Sequence, residues 1–233
     1  MTKPAIVVAY THSRELAENE LANISHEELL RAGQFKADHR RQQFLCGRAL
    51  LRHTLQLFCG ESASSFEIVV DARGKPGCMD GPELSIAHTG DLLVCAVTQL
   101  GRIGIDIEIP RGRQNVTAIA KRYFSADEAA WLATQAPDRF YMLWVLKEAW
   151  LKAKGSGIAG GLDRLSCFVS PPVIDARISG DATPTLSLHA LDNTLVGVAT
   201  DSLAPTKAAI YHWDFATGQF EDDNKVRLIA ATR

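Results

Sequence analysis

The chain has 233 residues, of which 46% are hydrophobic, enough to bury a core in one domain or two. A formal charge of -2 argues against generic nucleic-acid binding, which needs a basic surface. Cys46, Cys59, Cys78, Cys95 and Cys167 are odd in number and form no Cys-x-x-Cys pair, a pattern of reduced thiols and not of a disulfide framework or zinc site. The apolar run after Met1 is too short for a signal peptide, and no stretch approaches a membrane span. The expectation is a soluble cytoplasmic protein.

Ala5 to Tyr10 reads as a first strand and Ser13 through Gln34 as a polar helical region. The most basic segment follows, with Arg31, Lys36, Arg40, Arg41, Arg48 and Arg52 relieved by Asp38. Arg41, Arg48 and Arg52 are spaced i, i+7, i+11 and form one stripe on a helix. Phe44, Leu45, Leu50, Leu51 and Leu55 surround that stripe, and a helix apolar nearly all round is usually buried. Its arginines then face a cleft, where guanidinium suits phosphate, or they snorkel at the rim of a core helix.

Phe66 to Asp71 reads as a short strand leading into Asp71-Ala72-Arg73-Gly74-Lys75-Pro76-Gly77, a stiff turn that presents the Lys75 ammonium. Most such lysines are solvated turn residues, and the spacing of a Walker A loop is absent. Leu84 to Gly90 and Leu92 to Thr98 read as a hairpin, with His88 at the end of its first strand, either structural or a hydrogen-bond donor to a pyrophosphate oxygen.

In Arg102-Ile103-Gly104-Ile105-Asp106-Ile107-Glu108 the isoleucines alternate with the other residues, the period of a half-buried strand. Asp106 and Glu108 therefore emerge on one face, opposite the isoleucines. Two carboxylates so placed repel each other unless they face solvent on an edge strand or share a hard cation such as Mg²⁺. The hairpin leading into this strand predicts an antiparallel meander.

Pro110 to Gln114 is a polar crossover and the expected boundary between halves at 1–110 and 111–233. Ser125 with Glu128 forms a capping box, a complete structural account of Glu128. Phe140 to Lys154 is a second organising helix, with Lys147, Glu148 and Lys152 set among Phe140, Tyr141, Leu143, Trp144, Leu146, Ala149, Trp150 and Leu151. Glu148 and Lys152 make an i, i+4 surface pair of about 0.3–0.5 kcal/mol, or they are buried and have metal or phosphate as a partner. Gly155 to Leu162 reads as a mobile glycine loop, and the segments Cys167–Ser170, Leu186–Ala190, Leu195–Thr200 and Ala208–Trp213 as strands. The polar last twenty residues are expected to fray.

Gly-Ile-Asp-Ile-Glu at 104–108, followed about forty residues on by Trp144-Val145-Leu146-Lys147-Glu148-Ala149-Trp150-Leu151-Lys152, resembles the paired signature of the phosphopantetheinyl transferases, in particular their longer Sfp-type branch. The likeness runs in register over roughly Arg40 to Leu162. It includes Gly74-Lys75-Pro76 and Ala87-His88-Thr89-Gly90, although Ala87 replaces the family's serine and Gln43 stands where relatives often carry arginine. The resemblance implies an α+β fold of two similar α/β halves related by a pseudo-two-fold, each a small antiparallel sheet packed with helices, with the active site between them in a monomer. It implies transfer of the 4′-phosphopantetheine arm of coenzyme A to a serine of an apo-acyl or peptidyl carrier protein, leaving adenosine 3′,5′-bisphosphate. Asp106, Glu108 and Glu148 would hold Mg²⁺, and Glu148 and Lys152 would be catalytic. Lys75, His88 and either Arg48 or Arg41 would bind the coenzyme, with Glu128 in a supporting role near the site. The rival readings are a Mg²⁺-dependent pyrophosphohydrolase and a non-catalytic coenzyme A-binding module.

Overall fold

A computed structural model describes residues 4–60, 66–112, 115–157, 161–178, 180, 182–202, 207–222 and 225–232. In chain order the first elements are β1 (Ile6–His12), α1 (Glu18–Leu21), α2 (His26–Ala32), α3 (Asp38–Cys59), β2 (Ile68–Val70), β3 (Pro76–Cys78), β4 (Glu83–Thr89), β5 (Leu92–Thr98) and β6 (Ile103–Glu108). The helices α4 (Val116–Tyr123), α5 (Ala126–Leu132) and α6 (Asp138–Lys154) follow, then a 3-10 turn (Leu162–Arg164). The remaining strands are β7 (Leu165–Ser170), β8 (Val173–Ile178), β9 (Thr185–Leu191), β10 (Thr194–Thr200), β11 (Ala208–Asp214), β12 (Gln219–Asp222) and β13 (Val226–Ala231). Among the described residues no helix is long and apolar enough to cross a membrane.

Contacts divide the chain into one unit of Met1–Gln99 with Lys207–Asp223 and another of Leu100–Thr206 with Asn224–Arg233. This division falls elsewhere than at residue 110, and it carries β6 into the second unit.

In the first unit a sheet of order β12-β11-β1-β5-β4 is formed. β1 runs parallel to β11 and antiparallel to β5. Every residue of β5 is buried, as its unbroken apolar run requires. One face is covered by α3, whose Ala49, Leu50, Leu51, Leu55 and Phe58 join Leu84, Leu93, Cys95 and Val97 in a single core. The helix ends at Gly60, which takes the left-handed conformation (φ +78°) open to a residue without a side chain.

In the second unit the sheet order is β6-β10-β9-β13-β8-β7. The meander expected from sequence is not formed: β6 pairs antiparallel with β10, with Asp106 opposite Gly197 and Glu108 opposite Leu195. A strand's own pattern records which face is apolar and leaves its pairing partner open, so the nearer hairpin had no claim on it. The sheets are mixed and not purely antiparallel, since β13 also has a parallel partner in β8. The C-terminal segment expected to fray supplies β12 and β13, the latter inside its sheet between β9 and β8 with Ala230 wholly buried. The run Val226-Arg227-Leu228-Ile229-Ala230-Ala231 is itself apolar but for one arginine, a local strand signal set within an otherwise polar segment.

Candidate active site

The site is built where α6 lies against β6 and β10. A Cβ on Gly104 would collide with the Ala149 carbonyl oxygen and stand 2.5 Å from the Ala153 nitrogen. One on Gly197 would stand 2.6 Å from the Val145 carbonyl oxygen. Both neighbours are helix backbone, which cannot swing aside, so these two glycines let α6 approach as closely as it does. The helix sets Phe140, Leu143, Leu146, Ala149 and Trp150 into a core with Leu186, Leu188, Leu195 and Ala199 of the sheet.

That docking brings Lys152 Nζ to 2.7 Å from Asp106 Oδ1, with the two side chains 32% and 13% exposed. Of the two readings of Glu148 and Lys152, the i, i+4 surface pair is not the one formed: Lys152 bonds from helix to strand. Glu148 is half-buried, and its Oε1 is a buried atom without a hydrogen-bond partner. Burial, first of all, pushes the Glu148 carboxyl up to about 7; Asp106 and Glu108 push the same way, and Lys152 opposes them. Three carboxylates and the Lys152 ammonium therefore share one electrostatic neighbourhood.

The expected metal set, Asp106, Glu108 and Glu148, is not closed into a cage. Among the described residues no three His, Cys, Asp or Glu side chains converge at metal-ligand separations, and Asp106 is engaged by Lys152. The donor chemistry nonetheless fits Mg²⁺, which takes hard oxygens and commonly uses one or two carboxylates together with substrate phosphates and water. The orphaned Glu148 Oε1 is the oxygen most in need of a cation.

In the first unit, the residues expected to hold coenzyme separate into two groups. Arg48 and His88 border one cavity of about 170 Å³, together with Phe35, Gln43 and Phe44. His88 is exposed there, while Arg48 is buried and drawn below the usual arginine range, chiefly by burial. Arg41 is not on that lining; half-exposed, it pairs with Asp38 at 3.3 Å. Lys75 is not on it either, and its Nζ stands 3.9 Å from Glu83. The Lys75 turn is stiff, as its sequence suggested: Asp71 Oδ1 accepts both the Arg73 and Lys75 backbone N–H groups at 2.8 Å, and Gly74 takes φ +87°. The glycine loop begins at Gly155 in the left-handed conformation (φ +67°); Ile158 to Gly160 lie outside the described residues, as do Arg113 and Gln114 of the crossover.

The model of the 4′-phosphopantetheinyl transferase superfamily matches residues 102–196, which hold Asp106, Glu108, Glu148 and Lys152. The 4′-phosphopantetheinyl transferase HetI of Nostoc sp. is 32% identical over 188 residues, spanning 76% of this chain and 78% of that protein. The chain belongs to the 4′-phosphopantetheinyl transferase superfamily. The transferase psf-1 of Bacillus pumilus is 32% identical over 83% of this chain and 80% of its own, and AcpT of Escherichia coli is 35% identical over 50% and 59%. Identity over four-fifths of psf-1 agrees with the Sfp-type branch.

One charged residue of the α6 helix has a role in this transferase that its sequence did not assign. Lys147 precedes Glu148 on α6 yet is wholly buried, with Nζ 2.8 Å from Glu128. It also donates to the carbonyls of Leu162 (2.7 Å) and Leu165, and lies 4.7 Å from the centre of the Phe124 ring. Glu128 keeps the predicted cap, accepting from the Ser125 N–H and hydroxyl, and adds the Cys167 N–H at 2.8 Å. Glu128 therefore ties α5 and β7 to α6 and is spent on that task. A charge inside an apolar helix was the available signal; the partner nineteen residues upstream was not visible in any local pattern.

Proposed function

We propose that this transferase moves the 4′-phosphopantetheine arm of coenzyme A onto a serine hydroxyl of an apo-acyl or peptidyl carrier protein, with Mg²⁺ as cofactor and adenosine 3′,5′-bisphosphate as second product. The observation that carries the reading is the gathering of Asp106 and Glu108 about Glu148, with Lys152 bonded to Asp106 and a buried Glu148 oxygen left unpartnered. Asp106, Glu108 and Glu148 would hold the cation. When bound, Mg²⁺ supplies charge neutralisation to the pyrophosphate.

The chain's own groups do the rest. Lys152, on its helix, is within reach of Asp106 and can trade that carboxylate for a phosphate oxygen. Glu148 takes the proton of the incoming serine as its oxygen bonds to the phosphorus bearing pantetheine. The P–O bond to adenosine bisphosphate breaks, and the nucleotide leaves with the electron pair. Positioning and charge stabilisation carry such a reaction, with the nucleophile brought by the partner. In the first unit, Arg48 and His88 are the favoured coenzyme contacts, and Lys75 and Arg41 are less so.

Incubation with coenzyme A, Mg²⁺ and a set of apo-carrier proteins, read by intact-mass spectrometry, tests this directly. The expected result is a carrier heavier by one phosphopantetheine, lost when its serine is replaced by alanine. Release of nucleotide without any carrier indicates a pyrophosphohydrolase. Tight binding of coenzyme A with neither outcome, and with no effect of Mg²⁺, indicates a binding module.

A further inference from the structure

Glu28, Arg48 and Arg52 form a buried cluster in the first unit, at 7%, 6% and 4% exposure. Two guanidiniums face one carboxylate, so one positive charge is uncompensated within the cluster. Removing such a charge from water is costly unless a partner replaces the lost hydration.

The two arginines do not share Glu28 equally. Arg52 takes both oxygens, with Nη2 at 2.9 Å from Oε2 and Nη1 at 3.1 Å from Oε1. Arg48 has only a distant approach, Nε to Oε1 at 3.4 Å, and neither its Nε nor its Nη1 has a hydrogen-bond partner. Glu28 is itself fixed: at the start of α2 its Oε2 accepts the Ser25 N–H at 3.0 Å, and its own N–H bonds the Ser25 hydroxyl. Arg48 is further oriented by the Phe44 ring, 5.0 Å from the guanidinium carbon. The surplus charge therefore rests on Arg48, which borders the cavity shared with Gln43 and His88.

We propose that Glu28 is a positioning residue for ligand discrimination: locked by Arg52 and Ser25, it holds the Arg48 guanidinium at the cavity wall yet leaves its Nε and Nη1 without a hydrogen bond, so that a phosphate monoester entering that cavity draws the guanidinium to itself and becomes its partner. The inference rests on the coenzyme A reading above, in which that monoester is the 3′-phosphate. Arg52 acts by keeping Glu28 occupied. If Glu28 were free to form a fork with Arg48, the cluster would satisfy itself and the cavity would lose its selectivity.

The test is the ratio of dissociation constants for dephospho-coenzyme A and coenzyme A, measured by calorimetry on the whole chain. Wild type is expected to prefer coenzyme A by roughly tenfold to a hundredfold, the range of charge-assisted hydrogen bonds. Glu28→Gln can keep the α2 cap while losing its charge, and is expected to lower the ratio at least about fivefold, chiefly through weaker coenzyme A binding. Arg52→Lys keeps the charge but loses the fork, which lets Glu28 turn to Arg48; it should lower the ratio in the same way and stands in if Glu28→Gln does not fold. A merely structural role would weaken both ligands together. A folded variant of either kind that retains the wild-type ratio overturns the role of Glu28 and leaves the coenzyme reading standing. Equal affinity of wild type for the two ligands overturns both the phosphate assignment and the inference, and failure to bind coenzyme A at all overturns the reading beneath them.

Discussion

Lys147 and Glu148 are neighbours on one helix and have opposite fates. Lys147 is wholly buried and has a carboxylate and two carbonyls around its ammonium. Glu148 is half-buried, has an orphaned oxygen, and shares its surroundings with two more carboxylates. Burial alone thus does not distinguish structure from chemistry. The difference lies in satisfaction: a buried charge with all its partners present is committed to holding elements together, whereas one without them is held ready for something the protein must bind.

The comparison breaks most readily at Lys147. Lys147→Met should cost about 3–5 kcal/mol, because it abandons Glu128 in the interior. Replacing both partners, as Lys147→Met with Glu128→Gln, should recover part of that loss, although Glu128 also serves the Ser125 and Cys167 N–H groups. Urea denaturation of the single and double variants measures both effects. A loss below about 1 kcal/mol in the single variant would remove the claim that this pair is structural.

His189 on β9 sharpens the contrast as a third solution, a buried titratable group that sheds its charge. Burial pushes its pKa down to about 4, and its Nε2 lies 3.0 Å from the Ser187 hydroxyl. The unfolded chain binds the proton first, so this contribution to stability is fully present above the ordinary value near 6.5. It is lost as pH falls toward about 4, below which it is flat. The span corresponds to a change on the order of 3 kcal/mol. His189→Gln should flatten the acid decline relative to wild type between those limits; an unchanged slope would count against a neutral buried imidazole.

How much of this was legible in the sequence follows the range of each interaction. The alternation of Ile103, Ile105 and Ile107 was enough to place Asp106 and Glu108 on one face of a strand, and the helix carrying Glu148 and Lys152 was plain from its apolar run. The cap at Ser125 was likewise local. What escaped was long-range. β6 found β10 some ninety residues away, β13 entered a sheet from within a polar C-terminal segment, and Lys152 preferred Asp106 to the carboxylate one turn before it. Glu28 as the shared partner of Arg48 and Arg52 was hidden for the same reason. The role of Gly104 was hidden too, because a missing side chain announces close approach only once the other surface is known.

That close approach gives an intermediate effect. Gly104→Ala places a Cβ against the Ala149 carbonyl, and α6 must lift from β6 to admit it. Overpacking of this kind costs about 1–3 kcal/mol, occasionally more. The same lift separates Lys152 from Asp106, so transfer activity should fall further than stability predicts. An active variant with wild-type stability would show that the helix does not depend on the gap. Gly197→Ala, facing the Val145 carbonyl, supplies an independent reading of the same contact.

The smallest expected effect on stability decides the comparison. Glu148→Gln keeps the shape of the side chain and removes a charge with no hydrogen-bond partner at Oε1. Replacing such a group by a neutral isostere abandons no buried ion, unlike the loss of Lys147, so stability should not fall; because burial and Asp106 disfavour the carboxylate, it should rise modestly over wild type as pH climbs above the ordinary carboxylate range. Function should respond in the opposite proportion. If Glu148 is a cation ligand, the variant should bind Mn²⁺, used as a spectroscopic stand-in for Mg²⁺, at least about tenfold more weakly. Saturating Mg²⁺ should then restore appreciable turnover, and Asp106→Asn should behave alike. If proton transfer is its main task, Mn²⁺ affinity should hold and turnover stay low at any Mg²⁺ concentration. A Glu148→Gln protein as unstable as Lys147→Met would place both residues in the same structural class. Full activity with unchanged Mn²⁺ affinity would deprive Glu148 of either role and leave its orphaned oxygen without a purpose in this site.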